Sequence, residues 1–190
     1  MPSTASPYGL IPANHPSGVV RPFAMTITSG YATTIYQNSP VKIIPSSTGE
    51  GTIAVAAAGD SFIGTFQGVE FTDSDGRRRV SNKWTASTAA TDIVAYVTID
   101  QSITYEIQSN AALAVADIGK QYDFTAPAGN TTTGLSSQAL DVASVVTSGG
   151  TAQLRLIGIV PGPDNNWGDT YGNALVQIVE HQNTAVKNAY

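Results

Sequence analysis

Ile103, Tyr105 and Ile107 alternate with Thr104 and Glu106, the period of two that turns one face of a strand inward and the other toward water. Ile93–Asp100 alternates in part, with Val94, Tyr96 and Thr98 on one side. Short runs rich in β-branched and aromatic residues recur along the chain: Phe23–Thr28, Tyr31–Gln37, Val41–Ile44, Thr52–Ala58, Ser61–Phe66 and Val69–Thr72. Gln121–Thr125, Ser137–Val145, Ala152–Val160 and Asn173–Gln182 continue the series. Between Val69–Thr72 and Arg77–Val80 lies Asp73-Ser74-Asp75-Gly76, whose turn chemistry predicts a hairpin. Ala111–Asp117 has the propensity for one helical turn, and no long amphipathic helix is visible. Strands at this spacing, separated by Gly, Pro, Asn and Asp, predict an all-β antiparallel sandwich or barrel.

Proline changes the picture at the start of the chain. Pro2, Pro7, Pro12, Pro16 and Pro22 are half of the ten prolines, so residues 1–22 read as an extended arm rather than a helix or central strand. The arm contains a small apolar cluster, Tyr8-Gly9-Leu10-Ile11-Pro12. That cluster suits docking on a neighbouring subunit, and equally a segment folded over its own core or a terminus without fixed structure. Residues 23–190 then form the β domain, with a soft boundary near Asp100-Gln101 that could divide two subdomains.

Composition limits the surface. Only 12% of the 190 residues are charged, so the exterior is built largely from Thr, Ser, Asn, Gln and Gly. Charge depletion is a property of surfaces buried against partners. With nine Lys and Arg and a net charge of −5, the chain has no basic track for a nucleic acid. It has no cysteine, hence no disulfide or thiolate metal site, and no apolar run long enough to span a membrane. Met1–Pro7 lacks the basic and apolar regions of a signal peptide, which predicts a product of the cytoplasm in which it is made.

Candidate chemistry is sparse. The two histidines, His15 and His181, sit far apart in sequence, and no Gly-x-Ser-x-Gly elbow accompanies them. A Ser-His-Asp grouping is conceivable only through the fold. Asp73 and Asp75 match just the opening of a calcium loop, and three arginines follow Gly76. Asp164–Asp169 carries four oxygen-bearing side chains in a loop, the ordinary material of turns. No metal or cofactor site and no catalytic residue are therefore expected. Arg77, Arg78 and Arg79 suit interface ion pairs or a solvated strand edge guarded against aggregation. Trp167 suits a contact anchor, or a lid on the core.

Several of these segments together are similar to one family. Tyr8-Gly9-Leu10-Ile11-Pro12, Ser29–Tyr36, Pro40-Val41-Lys42, Ile63–Phe71 with the hairpin behind it, and Lys83-Trp84 resemble tailed-phage capsid decoration (cement) proteins. Asp117–Lys120 and Ala174–Val176 add an echo. The resemblance covers chiefly residues 7–107, and its motifs are turn and strand signatures. It implies a structural virion protein on the outside of the head, made in the host cytoplasm, whose partner is the major capsid protein. It further implies a homo-oligomer, a trimer before a dimer, with Pro7, Tyr8, Gly9, Leu10, Ile11 and Pro12 as the capsid-binding arm. The alternative is another virion component, of the tail or a fibre, with a glycan- or protein-binding β domain.

Overall fold

The computed structural model describes residues 4–46, 51–146 and 149–184. The first three residues of the proline-rich arm and most of the Ser46–Gly51 loop lie outside them. Eleven strands follow one another: β1 (Ile11–Asn14), β2 (Pro22–Met25), β3 (Pro40–Ile43), β4 (Ile53–Val55), β5 (Gly64–Asp73), β6 (Arg78–Ser81), β7 (Ala90–Thr98), β8 (Thr104–Gln108), β9 (Gln121–Tyr122), β10 (Leu154–Ile159) and β11 (Asn173–Ile178). They build two antiparallel sheets packed together. One runs β1-β8-β11-β10-β9; the other runs β2-β7-β5-β3-β4, with β6 beside the far end of β5. The expected all-β class is what the chain adopts.

The sheets divide by sequence. Every strand between residues 22 and 98 lies in the six-stranded sheet, and every strand between 104 and 178 in the five-stranded one. The chain changes sheets at the Asp100–Ser102 turn, where Asp100 Oδ1 accepts the Ser102 N–H at 2.7 Å. Only β1 crosses this division, by pairing with β8. The outer strands of the six-stranded sheet also meet: Thr26, just after β2, bridges Thr52, just before β4. The sheet thus curls around Ile35, Val41, Phe66, Trp84 and Val97. A second apolar core, with Leu10, Phe62, Tyr105, Tyr122 and Leu154, belongs to the five-stranded sheet. On β8, Tyr105 and Ile107 are buried while Thr104 and Glu106 lie between them on the other face, as the alternation predicts.

Two expected strands take other forms. Residues 31–37 make single bridges, Ile35 to Trp84 and Gln37 to Leu135, and no ladder. Ile35 is buried in the core, so its apolar character is used for filling rather than for pairing. Residues 137–145 bridge only at Leu140 and then wind into a 3₁₀ turn, Val142–Ser144, capped by Asp141. Ala111–Asp117 ends in a similar turn, with the Asp117 carboxylate accepting the Ala114 N–H at 2.7 Å. Gly68, which reads as a break between strands, instead sits at an irregularity within the continuous β5.

Polar side chains stitch the two cores together. Gln153 is fully buried; its Nε2 donates to the carbonyls of Ala57 (2.9 Å) and Asp60 (2.7 Å). Tyr105 Oη lies 3.2 Å from Thr98 Oγ1, which is 2.9 Å from Thr65 Oγ1. Within the six-stranded sheet β5 and β7 approach so closely here that a Cβ on Gly64 would stand 1.5 Å from the Thr98 carbonyl oxygen, so no side chain fits. The buried His181 places Nε2 3.1 Å from the Ile99 carbonyl, while its Nδ1 accepts the Asn183 N–H at 3.1 Å. The ring is therefore neutral with its proton on Nε2.

Gln153→Leu is expected to strand the buried Phe124 N–H, to take a donor from the Ala57 and Asp60 carbonyls, and to lose on the order of 3 kcal/mol of stability in urea titration. Gln177→Leu, which removes a surface bond to the Gln101 carbonyl, is expected to change stability by less than about 0.5 kcal/mol. A second expectation concerns pH. Burial pushes the His181 pKa below the ordinary value of 6.5, so the unfolded chain takes up this proton before the folded one does. Stability from this group is complete above that value and falls as the pH drops below it. The melting temperature should decline between roughly pH 7 and pH 5, and His181→Gln should flatten that decline.

Candidate binding surface

The apolar cluster of the N-terminal segment lies on the chain's own body. Leu10 is fully buried in the core of the five-stranded sheet, and its N–H donates to the Asn38 carbonyl at 2.9 Å. Gly9 has φ +80°, and a Cβ there would come within 2.4 Å of the same carbonyl oxygen. Only glycine meets both demands. Tyr8 donates its hydroxyl to Glu106 on β8 at 2.6 Å; burial and then that carboxylate hold the phenol well above its ordinary range. Pro7 is half-buried, and Ile11 and Pro12 are half-buried on β1. These six residues thus have intramolecular work in this conformation.

What faces solvent is the next stretch. Residues 16–19 and 21–24 are exposed, with Val19 at 53% and Phe23 at 51%. Between them and the turn at Asp100–Ile103 lies a cleft of about 400 Å³, walled by Val19, Val20, Phe23 and Ile103 and bearing His15, Arg21 and Asp100. His15 holds the cleft's two sides together: its Nε2 is 3.2 Å from Asp100 Oδ2. The Ser17 N–H donates to His15 Nδ1 at 3.1 Å, and Ser17 Oγ lies 2.6 Å from the same atom. An N–H donor at Nδ1 places the ring proton on Nε2, aimed at Asp100. The fold therefore assembles a Ser-His-Asp grouping that sequence could not connect. Two donors share the one Nδ1 lone pair, and the Gly18 N–H is already bonded to the His15 carbonyl at 2.8 Å. This geometry closes a turn and ties it to the sheet junction. Asp100 is held below the usual carboxylate range, chiefly by the Ser102 N–H and further by His15.

The arginine run is exposed at the β5–β6 hairpin, and the charges of Arg78 and Arg79 are met locally. Arg79 Nε lies 2.6 Å from Asp73 Oδ2, and Arg78 Nη2 lies 3.2 Å from Glu70 Oε1. Asp73 also accepts the N–H groups of Asp75 and Arg77, which makes it the carboxylate that shapes the turn. Its pKa is lowered, first by Arg79. Beside these pairs Val80 is 81% exposed on an outer strand. Trp167 is half-buried and packs on the core of the five-stranded sheet, while Asp169 accepts the Asn166 N–H within the same loop. Among the described residues no group of three His, Asp or Glu side chains is placed to hold a metal.

Sequence reading missed His15, Arg21, Phe23 and Asp100 as one site. No local signal joins Asp100 to a histidine in the proline-rich segment; β1 pairing with β8 brings them together. His15→Ala should lower stability by about 1 kcal/mol in urea titration, through loss of the tie to Asp100. Comparison of the chain with protein-family models, with curated proteins and with solved structures returned no match, so its functional reading rests on its own residues.

Proposed function

We propose that the chain is a structural virion protein that binds the outer surface of a phage capsid and strengthens contacts between major capsid subunits. The observation that carries this reading is the pairing of a stitched, rigid β body with two large apolar side chains, Val19 and Phe23, left in solvent beside a cleft. Exposed apolar groups of this kind mark surfaces that meet other proteins. The sequence resemblance to capsid decoration proteins supplies the partner, and the charge-poor exterior suits burial against it. In this reading the work is mechanical: buried area added across subunit junctions, with no chemical step. Copies joined as a homo-oligomer, a trimer or a dimer, would engage equivalent sites together and multiply modest contacts. A glycan-binding tail or fibre role would be served by an aromatic face presented to solvent, and Trp167 instead leans on the core.

The test is a count. Purified heads lacking the protein, mixed with an excess of it and repurified, should carry copies in the hundreds, at one or a few per capsid symmetry site. A handful per particle would assign the protein to the tail or to a single vertex instead.

A further inference from the structure

We infer that the outer face of the five-stranded sheet receives the same face of a second copy of this chain. The inference rests on the homo-oligomer of the proposed reading and gives that oligomer its contact.

Register identifies the face. Tyr105, Ile107, Leu156 and Val176 point into the core, so the strand residues between them stand on the opposite side. Residues directly opposite in an antiparallel ladder share a side, and Ile11, Glu106, Leu175 and Gly158 are paired in this way across β1, β8, β11 and β10. The neighbouring row is Thr104, Gln177, Arg155 and Gln121. The ladder slips between Leu156 and Gly158, and this bulge turns Ile157, 42% exposed, outward beside Leu175. Ile118, 49% exposed, flanks it, because the next residue, Gly119, donates to the Leu156 carbonyl. Ile11, Leu175, Ile157 and Ile118 thus form an apolar band across the sheet. Residues 4–8 cover one end of the face, where Gln108 donates to the Thr4 carbonyl and Tyr8 to Glu106.

Charge selects the occupant. The strands carry two charged residues on this face, Arg155 and Glu106. Arg155 is exposed and has no side-chain partner among the described residues. Glu106 takes the Tyr8 hydroxyl on Oε1, which leaves Oε2 for another donor. β11 lies between the two strands that carry them, and they do not pair within one chain. A partner of one charge sign would be drawn to one of these groups and repelled by the other.

A second copy satisfies both. Turned by half a revolution about an axis lying in the face, across β11 between Leu175 and Gln177, it sets each Arg155 toward Glu106 of the other copy. The same rotation brings Leu175 and Ile157 of the two copies together near the axis. The contact is isologous and closes on itself as a dimer. Stacked sheets stand about 10 Å apart, a gap that an arginine and a glutamate span together.

The experiment is sedimentation velocity on the full chain between about 10 μM and 1 mM, where a monomer–dimer equilibrium is expected. Arg155→Glu and Ile157→Ser, both at exposed positions, should each weaken association at least about tenfold without moving the melting temperature. Glu106→Arg should do the same, and an equimolar mixture of the Arg155→Glu and Glu106→Arg chains should recover the dimer, since opposite charges then meet at both contacts. Glu106 also holds Tyr8, so the mixture is read only if that variant melts as the unaltered chain does; the two exposed variants decide the matter without it. A monomer throughout the range, or an oligomer that Arg155→Glu and Ile157→Ser leave unchanged, would overturn the inference. So would a monomeric chain whose attachment to purified heads is lost in these variants, since the face would then meet the capsid. Attachment to heads without self-association leaves the decoration reading standing. Failure of a charge-sensitive dimer to attach would sink the decoration reading alone.

Discussion

The buried amide of Gln153 sits where the two halves of the molecule meet, and much else depends on contacts of its kind. Each sheet has its own apolar core, and apolar packing is indifferent to direction, so two such cores could slide past one another. Hydrogen bonds between groups removed from water do not permit that freedom. Once Gln153 has met the carbonyls of Ala57 and Asp60, and Tyr105 the hydroxyl of Thr98, any displacement leaves polar atoms unpaired in a dry place. The seam fixes the register between sheets. The contact at Gly64 acts within the six-stranded sheet, where the Thr98 backbone of β7 occupies the space in which a side chain on β5 would stand.

The N-terminal segment belongs to this seam rather than to the solvent. Gly9 donates to the Gln138 carbonyl, Leu10 to Asn38, and Asn38 Nδ2 to the Tyr8 carbonyl, so the segment is tied to loops from both halves of the chain before β1 begins. Its apolar cluster has a structural occupation in this conformation. By anchoring residues 8–14, the fold also fixes where residues 15–23 emerge, and the tie from His15 to Asp100 aims them. A surface that projects Val19, Arg21 and Phe23 is thus a consequence of how the segment before it is buried.

The alternation at Ile103–Ile107, the Asp-Gly hairpin and the absence of amphipathic helices were enough to establish an all-β chain, because side chains on a strand must alternate and turns need particular residues. The chain changes sheets at the turn between β7 and β8, two regular strands. Residues 31–37 and 137–145 have the composition of strands without pairing as such. Burial explains both: Ile35 and Leu140 fill cores, and local composition does not distinguish filling from pairing.

The sequence by itself determined the class of fold, the polar and charge-poor exterior, and the places where the chain turns, since these follow from the chemistry of neighbouring residues. Only the tertiary structure decided that Tyr8–Pro12 rest on the chain's own sheet and that Arg78 and Arg79 are neutralised by Glu70 and Asp73. It alone brought His15, Arg21 and Phe23 around Asp100. The two ion pairs form across the local β5–β6 hairpin, whereas the other outcomes depend on contacts between residues far apart in the chain, which β1 on β8 brings together and no local pattern encodes.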